Sequence, residues 1–428
     1  MTTKVRSKHA VIFAALAAVP LSMVWAQPAP ATDPIAPLPE GAQAAPVEAP
    51  PPPPPPPPLW QVPQAQALLN YIRNVGREGL SPEDYNPSGL ETAMRTGDPM
   101  TMSQVATDAF NKLSSDLALG HVRGDARVDW HVVDKDLDEA RKRALLETAL
   151  RNNQLPQTLD GLLPSHPQYG ALKTALATAA KTDTAKVNKI RLNMDRWRWL
   201  PRELGSKYII VNVPSYYATL VENGATRWKT RAVAGAIKTP TPQLNATASG
   251  VILNPWWEVP QSISREVAGK AGYVAVKGKD GKVQRWRQPP GPSNALGQLK
   301  FVMPNEHAIF LHDTNAKSRF NSSVRAASHG CIRTKDVLEL ATELLSDDNG
   351  EWTPERIKAA LASKKSVQAN FVKPLPVYIV YFSVAANTDG SIVNYDDMYK
   401  RDGKVIEALL DSKGEMPGKK PAEKVAAK

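Results

Sequence analysis

Cys331 is the only cysteine in a chain of 428 residues. It sits in AASHGCIRTKD, residues 326–336, with Ser328, His329 and Gly330 just before it and Arg333 just after. A cysteine attacks as its thiolate, and a free thiol, with a pKa near 8.5, needs a neighbouring base or cation to reach that form. An imidazole can take the thiol proton and later return one to a leaving amine. Three histidines are near enough in sequence to serve: His307 and His312 in PNEHAIFLHDT, and His329. On a single strand, His307 and His312 would face opposite ways. His312 ends an apolar stretch, where a strand can open onto a cleft. His329 shares a face with Cys331 only if the segment between them is extended. The residue types leave the base open between His312 and His329. Gly330 permits a tight turn and a bare backbone, so the N–H groups of Gly330 and Cys331 are candidates for an oxyanion hole. Arg333 suits a bidentate grip on a substrate carboxylate, and equally a surface position at a helix start. The chemistry indicated is that of a cysteine acyl transferase or hydrolase.

Strands must position these groups. Tyr208 to Val213 is β-rich, Val221 to Gly224 holds the hairpin signal ENG, and ASGVILNPWWEVP, HAIFLHD and LPVYIVYFSVAAN read as further strands. KDVLELATELL is a helix directly after the cysteine motif. Residues 261–299, rich in Gly, Lys and Pro, form a long excursion between strands, a setting in which lids and substrate-binding elements are common. The region 190–411 is therefore expected to be mainly β, in the form of a sandwich. Upstream the period changes. Ala67, Leu68, Tyr71, Ile72 and Val75 recur at helical spacing, as do Val105, Phe110, Leu113 and Leu117, before Gly120 as a stop. Residues 135–152 and 168–181 read as two more helices. The fold class expected is α+β multidomain, a helical domain over 59–189 followed by the mainly β domain. His121, His131 and His166 are too scattered in the helical part to suggest a metal site, and are expected to be structural or surface residues.

The N-terminus bears on the cysteine. Lys4, Arg6 and Lys8 precede an apolar stretch from Ala10 to Val24, and Val24 and Ala26 suit the −3 and −1 positions of a cleavage site. Residues 1–26 are expected to be a secretory signal peptide. Export leads to oxidising compartments, where cysteines usually pair. A single cysteine cannot pair within the chain, which leaves an intermolecular link, a reactive thiol or a buried inert residue. Residues 27–58 form a Pro/Ala-rich linker ending in the run Pro50 to Pro58, a stiff spacer. The tail, 412–428, is basic and expected to be disordered. The formal charge is +11, and loss of Lys4, Arg6 and Lys8 takes it to +8. Without an arginine-rich block, that surplus suits an acidic polymer better than a nucleic acid. No later stretch is apolar enough to cross a membrane, so none is expected once the leader is removed.

SHGCIR, residues 328–333, preceded by HDT at 312–314, resembles the signature of the L,D-transpeptidases, enzymes with a YkuD-type catalytic domain that act on bacterial peptidoglycan. NMDRWRWLP, YIIVNVPSY, TPTPQLNATASGVILNPWWEVPQSI, RQPPGPSNALGQLKF and FNSSVRAASHGCIR resemble, in order, the larger periplasmic Gram-negative branch of that family. ALLNYIRNVGREGLSPEDY resembles its α-helical scaffold region. The resemblance implies Cys331 as nucleophile, His312 as general base and acid, and His329 as an orienting residue. It implies oxyanion N–H groups from Gly330 and Cys331, and substrate contacts from Arg333, Asn321 and Ser328. It implies no metal or cofactor, a periplasmic location, peptidoglycan stem peptides as substrate, and other wall-synthesis proteins as partners. In the reaction it implies, Cys331 acylates at the diaminoacid carbonyl of a tetrapeptide stem and releases D-alanine. An amine of another stem then accepts the acyl group in a 3–3 crosslink. Water or a lipoprotein lysine as acceptor would make a carboxypeptidase or an anchoring enzyme of the same fold. Carbapenems are expected to acylate the same thiol. Residues 261–299 match the place of a capping element. The small peptidoglycan-binding repeat frequent in that branch has no room here, since only TAAKTDTAKVNKI separates the last scaffold-like helix from RLNMDRWRWLP.

Overall fold

The structure, a computed structural model, describes residues 56–132, 137–347, 351–387, 389 and 391–414. The expected signal peptide, most of the linker and the tail from residue 415 lie outside the described residues. Among the described residues, no helix is long and apolar enough to cross a membrane.

Seven helices come first: α1 (Val62–Arg73), α2 (Pro87–Thr96), α3 (Pro99–Leu119), α4 (Glu139–Asn152), α5 (Leu155–Asp160), α6 (Pro167–Thr178) and α7 (Thr184–Arg198). Their starts are written in the sequence. Asp98 caps α3 by accepting from Met100 and Thr101 N–H, Asp138 caps α4, and prolines stand at the first turns of α1, α2, α3, α5 and α6. Leu68, Ile72, Phe110, Leu113 and Leu117 are fully buried and form one core with Leu90, Leu146 and Leu159.

Helix α7 was not expected, because its buried face is polar. Asn193, Asp195, Arg196 and Arg198 are all buried there, so the apolar periodicity is broken. The Asp195 carboxylate accepts from His121 N–H (2.7 Å), Val122 N–H (3.1 Å) and Trp199 Nε1–H (2.9 Å). Arg198 pairs with it at 3.4 Å, and Arg196 pairs with Asp402 at 2.8 Å. Trp197 stacks on His166 on one side (4.2 Å between centroids) and on Phe382 on the other (4.5 Å). Helix α7 therefore packs on both parts, on His121, Val122 and His166 of the helical part and on Phe382 and Asp402 of the β part. His121 is held by Asp116 (Nδ1 to Oδ2, 2.7 Å) and by the Asp411 carbonyl, so it is structural. Residues 412–414, the start of the expected tail, dock here. Arg123 N–H donates to the Gly414 carbonyl at 3.0 Å.

The β part contains β1 (Lys207–Asn212), β2 (Tyr217–Glu222), β3 (Ala225–Gly235), β4 (Leu244–Leu253), β5 (Trp257–Glu258), β6 (Val274–Lys277), β7 (Val283–Gln288), β8 (Leu299–Val302), β9 (Leu311–His312), β10 (Ala326–Ser328), β11 (Ile332–Thr334), β12 (Val367–Val380), β13 (Val384–Ala386) and β14 (Ile392–Asn394). Between and after them run α8 (Ser264–Val267), α9 (Val337–Ser346), α10 (Pro354–Ala362) and α11 (Asp402–Leu410). The expected sandwich is one sheet wrapped on itself. Its order is β10-β3-β11-β9-β8-β4-β12-β1-β2, and β2 also pairs with β3, which closes the ring. Inside lie Ile209, Val211, Leu220, Val251, Phe301, Leu311, Ile332 and Val377, with α9 packed against them through Leu340 and Leu344. The ENG turn is as expected, with Asn223 and Gly224 both at positive φ, the two-residue hairpin geometry.

The long excursion is a folded unit rather than a plain loop, and it begins before residue 261. Strands β5, β7 and β6 form a separate antiparallel sheet. Val259, Ile263 and Val267 make a small core with Trp257, Tyr273 and Trp286. Its two stalks are tied together by the fully buried Asn294, whose Nδ2 donates to the Pro255 and Pro289 carbonyls, each at 2.9 Å.

Candidate active site

Strand register builds the floor of the site. His312 on β9 is the register partner of Arg333 on the parallel strand β11 and of Lys300 on the antiparallel strand β8. Register partners point to the same face, so Lys300, His312 and Arg333 form one row across three strands. His312 is buried, and its Nδ1–H donates to the Asp313 carbonyl, which leaves Nε2 as the proton acceptor. Burial first, then the positive Arg333 beside it, push the imidazole down to about 4. The ring meets Phe310 edge-on at 5.6 Å, and Lys300 Nζ lies 5.1 Å from the Phe310 centroid. The loop below is pinned by Asp313, whose Oδ2 accepts Gln298 N–H at 2.9 Å.

Cys331 sits on a turn that its neighbours shape. Gly330 has φ +116°, a backbone that favours glycine, and a Cβ there would meet Ile309 Cδ1 at 3.2 Å. The Gly330 carbonyl accepts Thr241 Oγ1–H at 2.7 Å, and Ser328 Oγ–H donates to the Cys331 carbonyl at 2.6 Å. Ile332 N–H donates to the Phe310 carbonyl at 3.1 Å. The thiol itself points at the Ala308 carbonyl, Sγ to O 3.6 Å. It is crowded by protein, and burial pushes it up to about 11, against the pull of a backbone hydrogen bond from Phe310 and of the Lys300 and Arg333 charges. Thiol and imidazole are thus both neutral at rest.

A cleft of about 600 Å³ covers this floor. Cys331, His312, Arg333, Lys300 and His329 line it from the sheet, and Trp257, Glu258, Glu266, Lys270 and Tyr273 line it from the cap. The cap reaches the cysteine turn where Glu266 Oε2 lies 3.5 Å from His329 Nε2.

The structure brings Cys331, His312, His329, Arg333 and Ser328 together, and it changes three expectations. Gly330 N–H is not free for an oxyanion, because it donates to Ser328 Oγ at 3.1 Å. The Cys331 amide is left for that role. It follows that Ser328 shapes the turn rather than holding substrate, since its hydroxyl both accepts from Gly330 and donates to Cys331. Asn321 does not line the cleft. It ends a 3-10 turn anchored by the buried Phe320, is exposed, and faces Arg231 Nη1 at 3.5 Å. Among the described residues no hydrogen bond joins Cys331 to His312. His307 is not on a strand with His312: Ala308 between them has positive φ, and the His307 ring packs on His131 at 4.0 Å. Lys300 and the cap residues were missed. Lys300 could be found only from the strand pairing, which no local pattern encodes. Among the described residues no group of three or more His, Cys, Asp or Glu side chains could hold a metal ion.

A cysteine and a histidine on the face of a closed sheet, behind a helical region, define a class that the comparisons name. Residues 206–367 match the L,D-transpeptidase catalytic domain, YkuD, and residues 56–176 match the scaffold domain. The chain thus carries a region similar to the YkuD-type catalytic domain of the L,D-transpeptidases, behind a region similar to the scaffold domain. A "Putative L,D-transpeptidase" of Haemophilus influenzae is 30% identical over 292 residues, which cover 62% of this chain and 58% of that one. The aligned part thus spans a little over half the length of that relative. Among solved structures, an L,D-transpeptidase from Mycobacterium smegmatis is 14% identical, covering 41% of this chain and 58% of its own, with a TM-score of 0.22. The catalytic domain of an Enterococcus faecium L,D-transpeptidase acylated by ertapenem is 16% identical, covering 42% and 99%, with a TM-score of 0.20.

Proposed function

We propose that this protein is a peptidoglycan L,D-transpeptidase that works through Cys331 in the periplasm. The observation that carries the reading is the row Lys300–His312–Arg333 beside Cys331 on the floor of a capped cleft. The donor stem lies under the cap with its carboxylates toward Lys300 and Arg333. Cys331 Sγ attacks the diaminoacid carbonyl as its proton passes to His312 Nε2. The Cys331 N–H receives the oxyanion, and the proton on His312 goes to the departing D-alanine. An acceptor amine then takes the acyl group. Because the thiol and imidazole rest neutral, proton transfer accompanies attack rather than preceding it. A carbapenem, which also offers a carboxylate and a reactive carbonyl, acylates the same sulfur. Stem peptides are the partners, with other wall-synthesis proteins as further candidates.

Incubation of the purified protein with disaccharide-tetrapeptide, followed by mass spectrometry, tests this. Crosslinked dimers and free D-alanine are expected, and neither from Cys331→Ala. Tripeptide without dimers would make the enzyme a carboxypeptidase, and activity in Cys331→Ala would overturn the mechanism.

A further inference from the structure

The cleft has an unequal distribution of charge. Lys270, Lys300 and Arg333 line it as cations, and Glu258 and Glu266 as anions. Glu258 is already paired, with Arg285 at 3.2 Å and Arg287 at 4.0 Å. Glu266 has no lysine or arginine partner among the described residues. Its contact is His329 Nε2 at 3.5 Å, and both side chains are about half exposed, at 58% and 48%. A cation entering this cleft is repelled by the Lys300–Arg333 row, and the lining carboxylate without a lysine or arginine partner among the described residues is Glu266, beside His329. Glu266, His329 and Cys331 line the same cleft, and His329 stands two residues before Cys331 in the sequence.

The second half of the proposed reaction needs such a place. An aliphatic amine has a pKa near 10.4 and arrives as an ammonium, which cannot attack until it loses a proton. An ammonium is poorly received beside His312, which is held on the floor between the Lys300 and Arg333 cations. Resting on the transpeptidase reading, we infer that Glu266 and His329 form the receiving site for the acceptor ammonium. Glu266 binds the ammonium and His329 Nε2 takes its first proton. The free amine attacks the thioester carbonyl, the C–N bond forms and the C–S bond breaks. The second amine proton goes to the departing sulfur, which restores the Cys331 thiol, and His329 releases its proton to water. Glu266 so placed selects amines over water as acceptor.

The test reads how one acyl-enzyme divides between acceptor and water, a ratio independent of how fast the acyl-enzyme forms. Two acceptor stems are compared, one with its native ammonium and one with that amine replaced by a hydrazide, which is uncharged at neutral pH. In Glu266→Gln the ratio of crosslinked to hydrolysed product should fall about fivefold or more with the ammonium, and less than about twofold with the hydrazide. Glu266→Asp should recover part of the loss. An equal fall with both acceptors would mean that Glu266 only holds the cap, and no fall would mean that it does neither; each result overturns the inference. If the unaltered protein makes dimers while Glu266→Gln behaves like it, only this inference fails. If the unaltered protein forms no product at all, the transpeptidase reading fails.

Discussion

His312 and Arg333 are register partners on the parallel strands β9 and β11. The imidazole is therefore held beside a guanidinium that it never meets in sequence, and Lys300 stands on its other side through β8. Both cations oppose protonation of His312, and both favour the Cys331 thiolate. The row thus keeps the imidazole free to accept a proton while drawing the thiol toward release. The same two charges offer a seat for substrate carboxylates.

The first prediction concerns pH and rate. With Cys331 pushed up to about 11 and His312 down to about 4, neither group titrates between pH 5 and 9. Under the proposed chemistry, second-order acylation by a carbapenem should change by less than about twofold across that window. A thiolate–imidazolium pair would instead give a bell with a limb near neutrality. Stopped-flow acylation at a series of pH values decides it. A limb near pH 6.5 that persists in His329→Gln would show that His312 titrates there and that the neutral pair is wrong.

A second prediction concerns the turn. Gly330→Ala places a Cβ against Ile309 Cδ1 and keeps a residue at φ +116° that only glycine tolerates well. Such strain costs roughly 1–3 kcal/mol, and here it is relieved by moving the Cys331 amide. The expected outcome is a folded protein, less stable by no more than about that amount in chemical denaturation, whose acylation rate falls by about tenfold or more. Retention of the full rate would mean that this amide does not receive the oxyanion.

Much of this site was legible beforehand, for a physical reason. SHGC packs a nucleophile, a turn residue and an imidazole into one local segment, and local chemistry is what a sequence displays. The helices with apolar faces, the ENG hairpin and the strand at Tyr208 to Val213 were legible on the same ground. What failed was non-local or polar. Lys300 gains its role only from pairing between β8 and β9. The cap looked like a loop because no apolar residue of β6 or β7 is fully buried, which leaves no apolar alternation to read. Helix α7 hid because its buried face is made of Asn193, Asp195, Arg196 and Arg198. Asn321 and Ser328 were assigned by position in a motif, and one faces away while the other is spent on the turn.

The third prediction follows from α7. Asp195 is fully buried and accepts from two backbone amides and Trp199 while facing Arg198. Asp195→Ala leaves those donors and a buried guanidinium without their partner, a loss of about 3–5 kcal/mol. Because α7 packs on both the helical and the β part, one cooperative unfolding transition should shift, followed by circular dichroism in urea. A shift under about 1 kcal/mol would show that water replaces the carboxylate at little cost.

The last prediction is about stability in acid. His312 stays neutral in the fold until about pH 4, whereas an unfolded chain protonates it near 6.5. Between those values the unfolded state binds more protons, so stability must rise with pH there and fall as the solution is acidified. The loss starts near pH 6.5, is complete near pH 4, and amounts to about 3 kcal/mol from this residue. His166, also pushed down to about 4 by burial, acts in the same direction. The contribution of His312 is therefore read as a difference between two proteins. His312→Gln should lose less stability between pH 7.5 and 4.5 than the unaltered chain, by most of that amount, in urea titrations at each pH. Equal losses in the two proteins would mean that His312 is charged or solvated in the fold at pH 4.5, against its burial beside Arg333.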